Sequence, residues 1–187
     1  MSVVLTSPPI AEVEAKPRVG RGADRAERRR LARQDRHSAR LAELHSIRAL
    51  VQEAVSVVRA GWVQHSWFAT TNDHGQTRLI AGQKVFEVAD QPVSGACLVG
   101  AIVHVGGGPA VVHSQLVQRT LDLTWHTLYG DSGSPVRWCP PPAIRMTNVR
   151  DLTSWNDHPA RTASDVDALL KSAARTTTVQ AELSRAR

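Results

Sequence analysis

A chain of 187 residues, 42% hydrophobic and 21% charged, has the size and composition of one folded domain with a tail. No apolar run reaches the roughly 18–20 residues that a membrane span requires, which excludes a helical membrane protein. The start of the chain has neither a basic lead nor a long apolar segment, and two cysteines, Cys97 and Cys139, are too few for a disulfide framework. We therefore expect a cytoplasmic protein with no membrane partner.

Positive charge is concentrated near the N terminus. Residues 16–48 contain Lys16 and ten arginines against four acidic residues, so this segment carries +7. The whole chain carries +6, which leaves −1 for everything else. The pattern indicates a nearly neutral domain with a basic arm rather than a uniformly basic protein.

The N-terminal region divides into three parts. Residues 1–22 are rich in proline and lack apolar periodicity, so we expect disorder there. Between Ala23 and Gly61 the residues are mostly good helix formers, which predicts one long helix. Its first part, residues 23–40, is an arginine-rich arm. Its second part carries an apolar stripe that predicts burial: Leu41, Leu44, Ile47, Val51, Ala54, Val55 and Val58.

The middle of the chain predicts a small hairpin followed by two helices. Residues 67–70 and 77–80 are strand formers on either side of the turn-forming residues 72–75, which is typical of a β-hairpin. Residues 95–105 are apolar on nearly every side and predict a central helix. A second helix is predicted to begin at Pro109, because proline suits the first helical position.

Two more helices are predicted after a proline-rich loop. The first is short and has an apolar side that ends at Trp155. The second begins at Thr162, which forms a capping-box pattern with Asp165. Because residues 176–187 start with three threonines, we expect this tail to fray. The predicted fold is mainly α: a small helical domain, residues 41–175, with a long basic N-terminal helix and a minor β-hairpin.

The string Gly-Asp-Ser-Gly-Ser-Pro at residues 130–135 matches the surroundings of the nucleophilic serine in chymotrypsin-like proteases. Such a serine needs a histidine base and an orienting aspartate held by two β-barrels, and that histidine usually lies in an Ala-His-Cys context. The context is absent, and two barrels need far more strands than the two predicted here. Because Asp-Ser-Gly is a turn sequence, we interpret Ser132 as a turn residue and the string as a chance match to serine proteases.

The histidines show no metal-ligand spacing. His104 and His113 lie on different predicted helices, and His126 lies 13 residues beyond His113. Neither Cys-x-x-Cys nor His-x-x-x-His occurs in the chain. We expect no bound metal and no cofactor.

The arginines of the arm are the most suggestive candidates for binding. Six of them fall largely on one side of the predicted helix, at spacings of three and four: Arg25, Arg28, Arg29, Arg33, Arg36 and Arg40. Arginine makes bidentate contacts with phosphate and keeps its charge at any cellular pH, so this side suits the phosphates of RNA or DNA. An acidic protein partner and a solvated face, partly paired through Glu27 and Asp35, are the alternatives.

Two further stretches carry a family resemblance. CLVGAI begins at Cys97, and DLTSWNDHPARTASDVDALLKSAA follows far downstream. Together they resemble an actinobacterial domain family of unknown function whose members share a Cys-x-x-Gly-Ala helix and a Trp-Asn-Asp…Arg-Thr…Val…Leu-Leu ending. The resemblance covers residues 51–174 and implies a small helical domain, but no reaction. The matching residues of this chain are Cys97, Gly100, Trp155, Asn156, Asp157, Arg161 and Thr162.

We interpret Trp155, Asn156 and Asp157 as a joint between the last two helices. Trp155 is expected to be buried, Asn156 is a residue that tolerates a left-handed cap, and Asp157 is expected to pair with Arg161 or to accept N–H bonds from the next helix. The leading hypothesis is a non-enzymatic accessory or regulatory protein whose arginine-rich helix binds nucleic acid or an acidic protein. The alternative is a small-ligand-binding or enzymatic domain that uses a groove near this joint.

Overall fold

The computed structural model describes residues 21–81, 84, 92–131, 133–136, 138 and 142–186, without the side chains of residues 21–23 and 142–145. The disorder predicted for residues 1–20 and the second cysteine, Cys139, lie outside these residues. The described chain is mainly helical, as predicted. Its elements are, in chain order, α1 (Arg21–Ala60), β1 (Phe68–Thr71), β2 (Thr77–Ile80), β3 (Val93–Ala96), α2 (Leu98–Val105), a 3₁₀ turn (Pro109–Val111), α3 (Gln115–Tyr129), α4 (Pro142–Asn156) and α5 (Ala163–Arg185).

The chain divides into two compact units between Arg36 and His37. Of the first unit the structure describes residues 21–36, the basic first part of α1. Because α1 begins at Arg21, the last two residues of the segment predicted to be disordered are helical. The second unit contains the rest of α1 and every other element.

The core of the second unit is built around α1 and α2. Every side chain from Leu98 to Val103 is buried, so α2 is the predicted central helix. α3 packs against α2, α4 and α5. The apolar stripe of α1 is half-buried at Leu41 and buried at the remaining predicted positions: Leu44, Ile47, Val51, Ala54, Val55 and Val58.

The predicted hairpin is present and has a third strand. β1 pairs antiparallel with β2 and with β3, and Phe68 lies opposite both Ile80 and Ala96. The prediction of a helix from residue 95 is therefore wrong at its start. The reason lies at Cys97, whose N–H donates to the carbonyl of Trp67 at 3.1 Å and whose Sγ caps α2. The residues before this cap are left extended, and they pair with β1.

Two other helices begin elsewhere than predicted. Pro109 opens the 3₁₀ turn and not α3. α3 begins later because the Oγ of Ser114 accepts the Val117 N–H and so caps the helix there. α4 begins at Pro142 and is longer than the short helix predicted around its apolar side.

α5 begins with the predicted capping box but does not end where we expected. It continues to Arg185, so residues 176–185 are helical where we expected a fraying tail. The buried side chain of Gln180 explains the extension. It donates to the Ser134 carbonyl at 2.8 Å and accepts from the Val136 N–H at 3.0 Å, which ties the loop after α3 to this part of α5.

Candidate functional site

The first unit presents the arginine-rich part of α1 to solvent. All side chains of residues 24–36 are exposed. The stretch from Arg25 to Arg36 spans about 16 Å of helix. Residues 21–36 hold seven arginines and three acidic residues, a net charge of +4. Five of the six candidate arginines belong to this unit: Arg25, Arg28, Arg29, Arg33 and Arg36.

The charges of these five arginines are not neutralised by the described residues. Glu27 pairs with Arg30 at 3.1 Å, and Arg30 lies away from the side that the five share. The Nε atoms of Arg28 and Arg33 each donate to the main-chain carbonyl four residues earlier, at 3.2 and 3.4 Å. Those bonds use one donor of each guanidinium and leave its charge without a carboxylate partner.

Arg40, the sixth candidate, belongs to the second unit. It is half-buried, and its Nε donates to the Oγ of Ser184 on α5 at 3.2 Å. Its environment therefore differs from that of the five solvated arginines.

The side-chain amide of Asn156 is the centre of the predicted joint. Asn156 is fully buried at the end of α4. Its Oδ1 accepts from Trp62 Nε1 at 2.9 Å and from the Leu98 N–H at 3.1 Å. Its Nδ2 donates to the Val63 carbonyl at 3.2 Å and to Asp157 Oδ1 at 2.8 Å. All four hydrogen-bonding positions of the amide are thus satisfied, and a flipped amide would point its NH₂ group at two donors.

Asp157 and Gln64 hold the loop that follows α1. Asp157 Oδ1 accepts the N–H of His65 at 2.9 Å, and its Oδ2 lies 3.7 Å from His65 Nδ1. His65 has a φ of 58°, the only positive value of a non-glycine residue in the described part of the chain. Gln64 donates to the carbonyls of Asn156 and His158 at 3.0 and 3.1 Å. The hydrogen bonds of Gln64 and Asp157 thus stabilise the left-handed backbone conformation of His65, which costs about 1–3 kcal/mol.

Cys97 and Gly100 place the start of α2 against the loop before β1. Burial raises the pKa of the Cys97 thiol from its ordinary value of 9.0 to about 12, so the thiol stays protonated at neutral pH. A thiol in that state is a poor nucleophile and a poor metal ligand. A Cβ at Gly100 would collide with the carbonyl oxygen of Trp67, so only glycine permits this contact.

Trp155 and Arg161 stack on each other at the edge of the joint. Trp155 is half-buried rather than buried, and the Arg161 guanidinium carbon lies 4.6 Å from the centroid of its ring. The expected ion pair between Asp157 and Arg161 is not formed, because Asp157 bonds to the loop after α1. Asn156 is not left-handed either, because it is the last residue of α4.

Thr162 begins α5 beside the joint. Its Oγ1 accepts the Asp165 N–H at 3.3 Å, and its own N–H donates to the Asp165 carboxylate at 2.9 Å. Hydrogen bonds from the side chain and then the backbone of Thr162 hold the pKa of Asp165 below its usual range. The structure thus gives each motif residue a local role in capping, packing or joining helices.

Three residues that contact the joint were not predicted from the sequence: Trp62, Gln64 and His65. Their hydrogen-bond partners lie 92 to 94 positions further along the chain. A pattern within a few residues cannot report such a pairing. The available signal was indirect: a tryptophan and two polar side chains follow the predicted end of a helix.

The loop after α3 carries the protease-like string. The Asp131 carboxylate accepts the Gly133 N–H at 3.0 Å. The Asp131 carbonyl accepts from the N–H and the hydroxyl of Ser134, at 2.9 and 2.8 Å. These are turn hydrogen bonds of the kind that an Asp-Ser-Gly sequence favours. Ser132 itself lies outside the described residues.

Within the ranges that the structure describes, no three histidine, cysteine, aspartate or glutamate side chains lie together as a metal site would need. None of the helices described there combines the length and apolar character of a membrane span. The imidazole ring of His104, one of the histidines considered as a ligand, packs edge-on against the ring of Phe68, with 6.2 Å between the centroids.

Comparison with known proteins places the chain in a family. No significant similarity is found among curated proteins or among solved structures. The profile of one family, described as Family of unknown function (DUF6197), matches residues 42–176. This range contains the whole joint and extends the resemblance noted from residues 51–174, while the arginine-rich arm stays outside it. Because the match covers more than two thirds of the sequence, the chain belongs to the DUF6197 family.

Proposed function

We propose that this protein is a non-enzymatic accessory or regulatory protein that binds nucleic acid through the arginines of its first unit. One observation carries the proposal: five solvated arginines share one side of α1, and none pairs with a carboxylate among the described residues. Each guanidinium can contact a phosphate through two parallel N–H bonds. Binding then gains free energy from the release of counterions condensed on the phosphates.

Nucleic acid fits this side of the helix better than an acidic protein does. Five positive charges within about 16 Å require a partner with dense negative charge. Duplex DNA carries one charge per about 1.7 Å of its axis, whereas an extended peptide offers one per about 3.3 Å only if every residue is acidic. Residues 21–36 contain no aromatic side chain for base stacking. We therefore expect phosphate contacts with little sequence preference.

A salt titration of the full chain tests this proposal. Binding to a labelled generic duplex and to a structured RNA is followed by fluorescence anisotropy. With about four to five phosphate contacts, the logarithm of the association constant on duplex DNA should fall against the logarithm of salt with a slope of about −3.6 to −4.5. Arg29→Gln should make the slope shallower by about one, because it removes one contact.

Arg30→Gln is the matched control. Arg30 is exposed on the same helix, but it pairs with Glu27 and lies away from the shared side, so its loss should leave the slope unchanged. If Arg29→Gln and Arg30→Gln changed the slope equally, affinity would depend on the net charge of the helix and not on the side of α1 that the five arginines share. Absence of binding to both nucleic acids at low salt would exclude nucleic acid and make an acidic protein the partner to test.

The alternative, a ligand-binding or enzymatic role at the joint, has less support. The amide of Asn156 has no hydrogen-bonding position left for a ligand, and the buried Cys97 thiol is protonated at neutral pH. The contacts of both residues instead stabilise the ends of α2 and α4.

A cytoplasmic location and an actinobacterial source also belong to this proposal. The free, buried thiol of Cys97 supports a reducing compartment, because it is kept as a packing residue and not as half of a disulfide. The source is supported by the family resemblance of the motifs around Cys97 and Trp155. Cell fractionation of the producing organism would test the location.

A further inference from the structure

A second basic feature lies within the second unit, in a groove between α1 and α5. The two helices run antiparallel there, with Arg40 against Ser184 at one end and Arg59 against Asp167 at the other. The groove has a volume of about 360 Å³, within the range of small-molecule sites. Its lining includes Arg48, Gln52 and Val55 of α1 and Lys171, Ala174 and Arg175 of α5.

The groove combines an apolar floor with a cationic rim. Val55 is buried and Ala174 half-buried, so both present carbon at its base. Arg48 and Arg175 are exposed, and neither forms an ion pair with any carboxylate among the described residues. Lys171 supplies a third positive charge.

At the end of the groove near Arg59, one carboxylate among the described residues pairs with the cations. Asp167 accepts from Lys171 Nζ at 2.6 Å and from Arg59 Nε at 2.7 Å. The hydrogen bond from Lys171 and, after it, the one from Arg59 hold the pKa of Asp167 below its usual range. Asp167 therefore compensates the charges of Lys171 and Arg59 in part, whereas Arg48 and Arg175 keep theirs.

We propose that this groove binds the phosphate ester of a small organic molecule. The phosphate group lies between Arg48 and Arg175, and the organic part lies on Val55 and Ala174. Two guanidinium groups suit a dianionic phosphate, because each can make two parallel hydrogen bonds to its oxygens. The Gln52 amide adds a donor and an acceptor for polar atoms of the organic part. This site lies in the second unit and does not depend on the proposed role of the arm.

Calorimetric titration of the full chain with phenyl phosphate tests the proposal. Inorganic phosphate, which lacks the ring, and benzyl alcohol, which lacks the charge, are the comparison ligands. Phenyl phosphate should saturate one site and bind more tightly than either. Arg175→Gln should weaken its binding about tenfold or more, because a charge-assisted hydrogen bond is lost. Arg78→Gln removes an exposed arginine of β2 and should leave the affinity unchanged.

Three results would overturn the proposal. The first is no saturable binding of phenyl phosphate at about 10 mM, where a site with a millimolar Kd is mostly filled. The second is an equal loss of affinity in Arg175→Gln and Arg78→Gln. The third is a loss of DNA affinity in Arg175→Gln as large as its loss of phenyl phosphate affinity, which would assign the groove to nucleic acid.

Binding by the arm and binding by the groove can be tested separately. Arg29→Gln should leave phenyl phosphate binding unchanged, because Arg29 belongs to the first unit and does not line the groove. Circular dichroism of each variant confirms that the fold is retained, as expected for substitutions of exposed side chains.

Discussion

Replacing Asn156 with alanine removes four hydrogen bonds from the joint at once. The buried Leu98 N–H loses its acceptor, which costs about 1–3 kcal/mol. The Trp62 indole and the Val63 carbonyl are half-buried, and each loses a bond worth about 0.5–1.5 kcal/mol. We therefore expect the free energy of unfolding to fall by about 4 kcal/mol, a large share of the 5–15 kcal/mol typical of a domain.

Urea unfolding followed by far-UV circular dichroism measures this loss, because most of the described chain is helical. Thermal melts should show a Tm lower by about 8–16 °C. Asn148→Ala is the matched control, since Asn148 is also buried on α4 but makes one hydrogen bond among the described residues, to Asp122 at 3.3 Å. Its expected cost is smaller, about 1.5–3 kcal/mol, because one hydrogen bond to a carboxylate is lost. Equal losses in the two variants would refute the reasoning, because the four-bond network would then add nothing.

The remaining predictions concern the neighbours of this network. Gly100→Ala should lower the free energy of unfolding by about 3 kcal/mol or prevent folding, since the new methyl group collides with the Trp67 carbonyl. Gly133→Ala, where a Cβ finds ordinary contact distances, should melt close to the wild type. Above pH 9 the stability should decrease by about 1.4 kcal/mol per pH unit, because the folded state keeps the Cys97 proton up to about pH 12 whereas the unfolded state releases it near 9.0. Between pH 8 and pH 10, one unit on either side of 9.0, urea unfolding should therefore show a total loss of about 1.4 kcal/mol, and an equal loss in Cys97→Ala would contradict this. Thr162→Ala should cost about 1 kcal/mol in thermal melts through the lost cap, and an unchanged Tm would show that the cap adds no stability.

Elements with local signals were predicted well from the sequence. The stripe of α1 repeats within each turn, and the capping box at Thr162 lies within four residues. The hairpin between β1 and β2 follows from turn formers that directly join its strands. In each case the residues that determine the structure are close together in the chain, so a short window contains the whole signal.

Elements that depend on distant partners were missed or misplaced. β3 is extended because the Ala96 N–H donates to the Gly61 carbonyl at 2.8 Å and β1 lies alongside it. The last part of α5 is ordered around Gln180, whose partners lie 44 to 46 positions earlier. The motif residues of the joint were identified by resemblance, but their bonds to the loop after α1 could only be seen in three dimensions. Tertiary contacts override local propensity at these places.

The bonds of Asn156 also bear on how the chain folds during synthesis. They join residues 58 to 94 positions apart, and Asn156 is the later member of each of these long-range pairs. When α1, the sheet and α2 leave the ribosome, the Trp62 indole and the Leu98 N–H still lack their acceptor. Pairing over such distances requires closure of a long loop, which is slow compared with helix formation. We therefore expect the nascent chain to stay sensitive to proteases until α4 has emerged, and to become resistant once Asn156 has left the ribosome and its hydrogen bonds have formed.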